Sequence, residues 1–306
     1  SLAQDGSYNI NPKDYTDNTN GTVTDENTGL KWQKCSVGQN DDANCSGTAL
    51  LYNWYQAVGE VNSSYNPSGG YKNVCGSLSL GTHTTGWRLP SKKELITLVD
   101  YAVPGPGPTI NNVFTNTMKS SYWSSTIYNF DQFEAWGVGF GDGEGFYGGD
   151  VYGMYKDWLV GYVRCVWGEE VKPGFIDNGP IVADIRTGLI WQKQDDNVKR
   201  TWGDALYYCE NLTLGVCQAG LCSGWRLPNV IELESITGDS RYYPAIDPVF
   251  TNTQPLSYYW SSTTYVDDAY FAWDVDFSDG NVYGFGKDGS DGLYDYVRCV
   301  QSGAVV

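Results

Sequence analysis

The stretch Tyr122-Trp123-Ser124-Ser125-Thr126 occurs a second time in the chain, as Tyr259-Trp260-Ser261-Ser262-Thr263. Matching segments surround both stretches in the same order, and such self-similarity is the signature of a repeated structural unit. The other matched pairs are Thr28-Gly29-Leu30 with Thr187-Gly188-Leu189, Gly86-Trp87-Arg88-Leu89-Pro90 with Gly224-Trp225-Arg226-Leu227-Pro228, Phe114-Thr115-Asn116-Thr117 with Phe250-Thr251-Asn252-Thr253, Ala135-Trp136 with Ala272-Trp273, and Tyr162-Val163-Arg164-Cys165-Val166 with Tyr296-Val297-Arg298-Cys299-Val300. We therefore expect two tandem copies of one domain, a first copy at residues 1–170 and a second copy at 171–306.

Local patterns predict an α+β plan for each copy. Apolar periodicity predicts helices over 50–61 and 202–212, and strands over 30–32 and 189–191. Ser91 with Glu94, and Asn229 with Glu232, are capping-box pairs that open further helices, the first over 92–100. Alternation at 136–140 and 273–277 predicts strands with Trp, Val and Phe on one face. The residues between them, aspartates in the second copy, are expected on a wet face.

Composition and charge narrow the function classes. The 306 residues include 24 Tyr, 12 Trp and 37 Gly, and Tyr with Gly is typical of adaptable binding surfaces. The net charge of −17 disfavours nucleic acid and anionic membranes as partners. No apolar run is long enough for membrane insertion. The chain begins at Ser1 rather than Met, which suggests a processed or engineered start.

Eight cysteines divide evenly, with four in each half of the chain. This division favours disulfides within each copy and an oxidising compartment. A zinc site is the alternative, but Cys217 and Cys222 lack the tetrad spacing, and His83 is the only histidine. The sequence alone leaves the pairing of the cysteines open.

The ordered motifs, from GWRLP through YWSST to YVRCV, resemble the Legionella collagen-like protein C-terminal domain family. The resemblance covers nearly the whole chain, once in each half. It implies a C-type-lectin-like fold in two tandem copies, similar to C-type lectins and to the formylglycine-generating enzyme. It also implies ligand display on an extracellular, cell-surface or virion-surface protein rather than a reaction.

The second copy also resembles the variable proteins of diversity-generating retroelements, which end in a hypervariable C-type-lectin segment. Their adenine randomisation turns Asn codons into codons for Tyr, Asp, Ser, Gly, Phe or Val. Residues 258–300 contain eight Asp and no Glu, Gln or Met, whereas residues 122–166 of the first copy contain Gln132, Glu134, Glu144 and Met154. The resemblance implies a variable segment at about 258–298 and a fixed first copy; a chance composition of loop residues is the alternative.

Candidate ligand-binding residues follow from this segment and from the alternation of its strand. Tyrosine and phenylalanine would supply contact anchors, and aspartate would supply charge-assisted contacts to a partner. The candidates are Tyr265, Asp267, Asp268, Tyr270, Phe271, Asp274, Asp276, Ser278, Asn281, Tyr283, Phe285, Asp288, Ser290, Asp291, Tyr294 and Asp295. The matched residues Trp87, Arg88, Trp225 and Arg226 are instead expected in the scaffold, with each arginine paired to a carboxylate or to carbonyls.

Other chemistries have weaker signals. No catalytic residue or cofactor is expected, because His83 has no framework of nucleophile and acid. Two loops, 279–281 and 288–291, offer oxygen ligands for a structural calcium ion, but no EF-hand pattern is present. We expect a protein or glycan ligand on another cell or particle. A fixed-specificity glycan-binding adhesin, or a structural subunit of a surface filament or coat, remains the alternative function.

Overall fold

The computed structural model describes residues 13–60, 62, 73–141, 148–170, 172, 174–214, 223–289 and 294–302. These residues form two compact units, one that ends at Glu170 and one that follows it. Both units are mixed, mostly sheet with two short helices each. No helix in the described ranges has the length and apolar character needed to cross a membrane.

The described part of the first unit contains eight strands and two helices. In chain order they are β1 (Tyr15–Asp17), β2 (Thr22–Asp25), β3 (Lys31–Gln33), α1 (Trp54–Val58), β4 (Trp87–Arg88), α2 (Lys92–Ile96), β5 (Ser121–Ile127), β6 (Glu134–Gly139), β7 (Val151–Tyr155) and β8 (Val166–Trp167). One antiparallel sheet has the order β1-β2-β3-β8-β4, so the last strand of the unit closes the sheet that the first strands begin. The other is the antiparallel meander of β5, β6 and β7.

The second unit repeats this plan, with seven strands and two helices among its described residues. They are β9 (Phe175–Asn178), β10 (Ile181–Asp184), β11 (Leu189–Gln192), α3 (Trp202–Glu210), α4 (Val230–Ser235), β12 (Tyr258–Thr264), β13 (Phe271–Asp276), β14 (Val282–Gly286) and β15 (Val300–Ser302). Strand β15 pairs with β11, and Arg226 forms a bridge with Val300 where the first unit has β4 and β8. Strands β12, β13 and β14 form the second meander.

The helix caps explain where the helices begin. Both predicted capping boxes are confirmed, at Ser91 with Glu94 and at Asn229 with Glu232. The helix predicted over 50–61 is shorter, because a capping box at Asn53 starts it at Trp54 and left-handed Gly59 ends it. The helix predicted over 92–100 ends at Ile96, while α3 agrees closely with the predicted 202–212.

Each unit has its own core, in which the matched tryptophans are central. Trp87 and Trp123 lie in the core of the first unit, and Trp225 and Trp260 in that of the second. Both guanidiniums of the matched arginines make two bonds to the capping glutamate of the following helix: Arg88 to Glu94 at 2.6 Å and Arg226 to Glu232 at 2.7 Å. The scaffold role predicted for these residues is confirmed.

Three disulfides lie within the described residues. They are Cys35–Cys45, Cys75–Cys165 and Cys209–Cys299, and the last two each join a cysteine of the matched Tyr-Val-Arg-Cys motif to a cysteine 90 residues earlier. The expectation of disulfides within each copy holds for these six cysteines. Cys217 and Cys222 lie outside the described residues. Disulfides of this kind are typical of secreted and surface proteins.

Candidate functional site

The meander of β12, β13 and β14 carries most of the candidate ligand-binding residues. Val275 lies directly opposite Tyr259 on β12 and Val282 on β14. Residues directly opposite one another share a face of the sheet, and all three side chains are buried. This inner face therefore has the apolar character that the alternation of 273–277 predicts.

Asp274 and Asp276 point to the opposite face, as predicted, but the expectation that this face is wet is wrong. Asp274 is 0% exposed, and Asp276 and Ser278 are also buried. Asp274 lies opposite Trp260, a member of the core of the second unit. The face that carries the aspartates therefore continues into that core. Alternation shows which residues share a face, but not whether another layer covers it.

The remaining candidates divide by exposure. The exposed ones are Asp267, Asp268, Tyr270, Tyr283, Asp288 and Tyr294. Tyr265, Phe271 and Phe285 are half-buried, and Asn281 and Asp295 are buried together with Asp274, Asp276 and Ser278. Ser290 and Asp291 lie outside the described residues.

The exposed candidates Tyr270, Tyr283 and Asp288 contact other side chains at two places. At the first, the hydroxyl of Tyr270 donates to Asp288 Oδ1 at 2.6 Å, so the turn before β13 contacts the turn after β14. At the second, the ring of Tyr283 lies 6.1 Å from Tyr258 and 6.4 Å from Phe285, and Tyr258 lies 4.9 Å from Phe285. We call Tyr258, Tyr283 and Phe285 the aromatic cluster.

Tyr258 was missed as a candidate, although the repeat contains the signal. It holds the position of Ser121 in the first copy, directly before the shared Tyr-Trp-Ser-Ser-Thr stretch. Tyr258 lies opposite Asp276, and Tyr283 lies opposite Asp274. Burial, followed by the negative charges of nearby aspartates, raises the pKa of both tyrosines. The cluster therefore lies directly beside the buried carboxyl groups.

Asp274 is the most unusual group of the site. Neither of its carboxyl oxygens has a hydrogen-bond partner among the described residues, although the side chain is fully buried. Burial holds the pKa of Asp274 well above its usual range, and the charges of Asp295 and Asp276 raise it further. An ionised carboxylate without a partner is costly in an interior, so this residue does not serve to stabilise the fold.

We expect Asp274→Asn to make the second copy more stable at neutral pH. The carboxyl group of Asp274 binds its proton more tightly in the folded chain than in the unfolded chain. The folded state therefore suffers no penalty below the unfolded value of 3.8, and its stability falls as the pH rises toward the folded pKa. Each unit of that difference is worth about 1.4 kcal/mol.

Urea unfolding at pH 5 and pH 8 tests this expectation. The stabilisation by Asp274→Asn should be larger at pH 8 than at pH 5, whereas the exposed Asp268→Asn should show no such change. An equal effect of Asp274→Asn at both pH values would show that the carboxyl does not titrate differently in the folded chain.

The first copy has glycine where the second has these aspartates. Gly137 and Gly139 of β6 correspond to Asp274 and Asp276 of β13, and Gly161 corresponds to Asp295 before the shared Tyr-Val-Arg-Cys motif. The space above Gly137 is filled by the side chain of Met154. The inner face does not change in this way, since Tyr122, Val138 and Val151 return as Tyr259, Val275 and Val282. The differences between the copies thus concentrate on one face.

In the two loops considered for calcium, Asp279 and Asp288 accept hydrogen bonds from other residues of the protein. Asp279 accepts bonds from the backbone and side-chain nitrogens of Asn281, and Asp288 accepts the bond from Tyr270. Among the described residues, no three or more His, Cys, Asp or Glu side chains are arranged to hold a metal ion. Part of the second loop, with Ser290 and Asp291, falls outside that search.

Comparison with known proteins adds one match to this geometry. No curated protein matches the chain. The profile of the Lcl C-terminal domain family matches residues 21–166 and again 180–301, which is most of the chain and once in each copy. The chain therefore belongs to the Lcl C-terminal domain family and carries that domain twice.

Proposed function

We propose that this chain is a non-enzymatic ligand-binding protein of the extracellular or cell surface, with a C-type-lectin-like fold in each copy. Its binding surface is the part of the second copy formed by the aromatic cluster and the turns that hold Tyr270 and Asp288. The observation that carries the proposal is the position of the exposed side chains of Tyr270, Tyr283 and Asp288 on a meander whose inner face matches that of the first copy. Exposed aromatic and acidic side chains on a constant frame are suited to recognition.

The chemistry of this surface fits a protein or glycan ligand on another cell or particle. Tyr283 and Tyr270 are exposed, and tyrosine gives a large contact area at a low cost in side-chain entropy. Asp274 is buried beside the cluster with no hydrogen-bond partner in the part of the chain that the structure describes. Natural binding sites often contain groups that lower stability, so the cost of Asp274 supports a role in recognition.

A retroelement would be the source of diversity in this surface. The proposal predicts that sister sequences differ between about residues 258 and 298 and agree elsewhere. It also predicts a reverse transcriptase and a near-copy of the segment in the surrounding DNA. Sequencing that DNA is the direct test, and differences spread evenly along the chain would contradict diversification.

Binding itself is tested by single substitutions of the exposed tyrosines. We expect Tyr283→Ala and Tyr270→Ala each to weaken binding by about tenfold or more. Aromatic side chains that become buried when a ligand binds usually contribute most of the binding energy of an interface. The probes are a printed glycan array and intact cells in flow cytometry. Tyr207→Ala is the matched control, since Tyr207 is exposed on α3 outside the segment.

The outcomes separate the two kinds of ligand. Loss of a glycan signal with both variants assigns a glycan, and loss of cell binding without any array signal assigns a protein. If Tyr207→Ala weakens binding as much as the other two variants, the proposed surface is wrong. Ordered self-assembly that survives both substitutions would instead favour a structural subunit.

A further inference from the structure

The first copy carries an exposed aromatic pair that the second copy lacks. Tyr155, the last residue of β7, stacks on Trp158 with ring centroids 5.1 Å apart and planes 25° from parallel. Trp158 is 65% exposed, one of the most exposed large side chains of the chain. The matching residues of the second copy are Gly286 and Gly289. An exposed stack of this kind has no packing role in the core of its unit.

A carboxylate lies beside this pair. Glu134 of β6 is directly opposite Tyr155, so the two side chains share a face of the sheet. Gly153 makes room for Glu134, because a Cβ at that position would clash with Glu134 Oε2 and lie 2.8 Å from the ring of Tyr128. The carboxylate therefore lies near the ring of Tyr128, on the face of the sheet that also carries Tyr155. In the second copy the matching residue is Phe271.

Glu134 has no basic partner within the described residues. Burial raises the pKa of Glu134, and the nearby charge of Asp131 adds to the effect. The neighbouring Lys156 is directed elsewhere: its ammonium donates to Gln132 O at 2.7 Å and lies 4.7 Å from the centre of the Trp54 ring. The face around Glu134 is therefore both aromatic and negatively charged.

We infer that Glu134, Tyr155 and Trp158 form a second binding site, which takes an arginine side chain of a protein partner. A guanidinium is planar, stacks on aromatic rings and forms two parallel bonds with a carboxylate. The exposed indole supplies the stacking surface, and Glu134 supplies the unpaired charge. Arginine fits better than lysine, since an ammonium is a strongly hydrated point charge that cannot stack in this way. The inference does not rest on the function proposed for the second copy.

Titration of the full chain with an arginine tripeptide tests this inference. Calorimetry gives the affinity, and the indole N–H signal of Trp158 in nitrogen-15 NMR spectra gives the location. We expect Glu134→Gln and Trp158→Gly each to weaken the affinity by about tenfold. Trp158→Gly leaves the net charge unchanged, so its effect cannot come from general attraction between a polycation and an acidic chain.

Two control variants complete the experiment. Asp267→Asn removes one exposed negative charge in the second copy, and Tyr207→Ala removes an exposed ring outside the site. Each control should change the affinity by less than about twofold. The unchanged remainder of the NMR spectrum verifies that each variant is folded.

Three results would overturn the inference. The first is an equal loss of affinity in the controls and in the site variants. The second is equal affinity for a lysine tripeptide of the same charge, which would leave only general electrostatic attraction. The third is a shift of the Trp158 signal by neutral oligosaccharides and not by arginine, which would assign the stack to a glycan.

Discussion

Replacing Arg298 with methionine is expected to lower the free energy of unfolding of the second copy by about 3–5 kcal/mol. The guanidinium is fully buried, and it donates to Gln192 O at 2.9 Å, to Lys193 O and to Thr253 Oγ1 at 2.8 Å. It also lies 3.6 Å from the carboxylate of Asp195. Methionine fills similar space but supplies no donor, so Gln192 O and Thr253 Oγ1 would each lose a buried hydrogen bond. Asp195 would lose its buried cation and keep the bonds from Tyr259 and Asn197.

The first copy supplies an internal comparison for this prediction. Arg164 makes the same set of bonds there, to Gln33 O, Lys34 O and Thr117 Oγ1. Ser36 holds the position of Asp195, so Arg164→Met leaves no carboxylate at that position. We therefore expect a smaller loss in the first copy than in the second.

Urea unfolding combined with hydrogen exchange, which resolves the two copies, measures both losses. Arg200→Met is the control within the second copy, because its pair with Asp196 is partly exposed and such pairs contribute about 0–1 kcal/mol. A loss for Arg298→Met no larger than that of the control would show that the buried guanidinium does not hold the last strand in place.

The repeat and the local caps could be predicted from the sequence because both depend on short-range information. A capping box needs only two residues three positions apart, such as Ser91 and Glu94 at the start of α2. It can therefore be recognised from the local sequence alone. The tryptophans of the matched motifs were likewise assigned correctly, since a large ring repeated in the same motif is most simply explained by a core. These features define the frame of each copy.

The environment of Asp274 could not be predicted in the same way. Its burial depends on Trp260, on Tyr283 and on the segment around Asp295, which come from three different parts of the chain. Alternation along β13 contains no information on any of them. Alignment of the two copies places Gly137 and Gly139 at the positions of Asp274 and Asp276. The fold of the first copy therefore needs no side chain at these positions.

The exposure of the candidate residues could therefore be predicted only in part. The exposed residues Tyr270, Tyr283 and Asp288 lie where the loops meet solvent, and their types alone suggested contact with a partner. The interpretation of the first copy as a fixed scaffold gives no reason to expect the stack of Tyr155 on Trp158. Its signal was available in the sequence as two aromatic residues at positions that are glycine in the second copy.

Removing the disulfide between Cys209 and Cys299 is expected to be the most destabilising change in the second copy. The two cysteines are 90 residues apart, and closing a loop of that size restricts the unfolded chain by about 4–5 kcal/mol. Both are buried in the core beside Trp202 and Trp225. Cys209→Ala with Cys299→Ala should therefore lower the free energy of unfolding by about that amount, as measured by urea unfolding.

Two comparisons test the physical origin of this loss. Cys75→Ala with Cys165→Ala removes the disulfide of the corresponding Cys165, whose cysteines are also 90 residues apart, and should destabilise the first copy to a similar degree. Cys35→Ala with Cys45→Ala opens a separation of only 10 residues, for which the same loop-entropy relation gives about 3 kcal/mol. Because Cys299 is four residues from Asp295, removal of the Cys209–Cys299 disulfide should also increase hydrogen exchange at 294–299. Equal losses for the long and the short loop would contradict the entropic explanation and assign the effect to packing around the sulfur atoms.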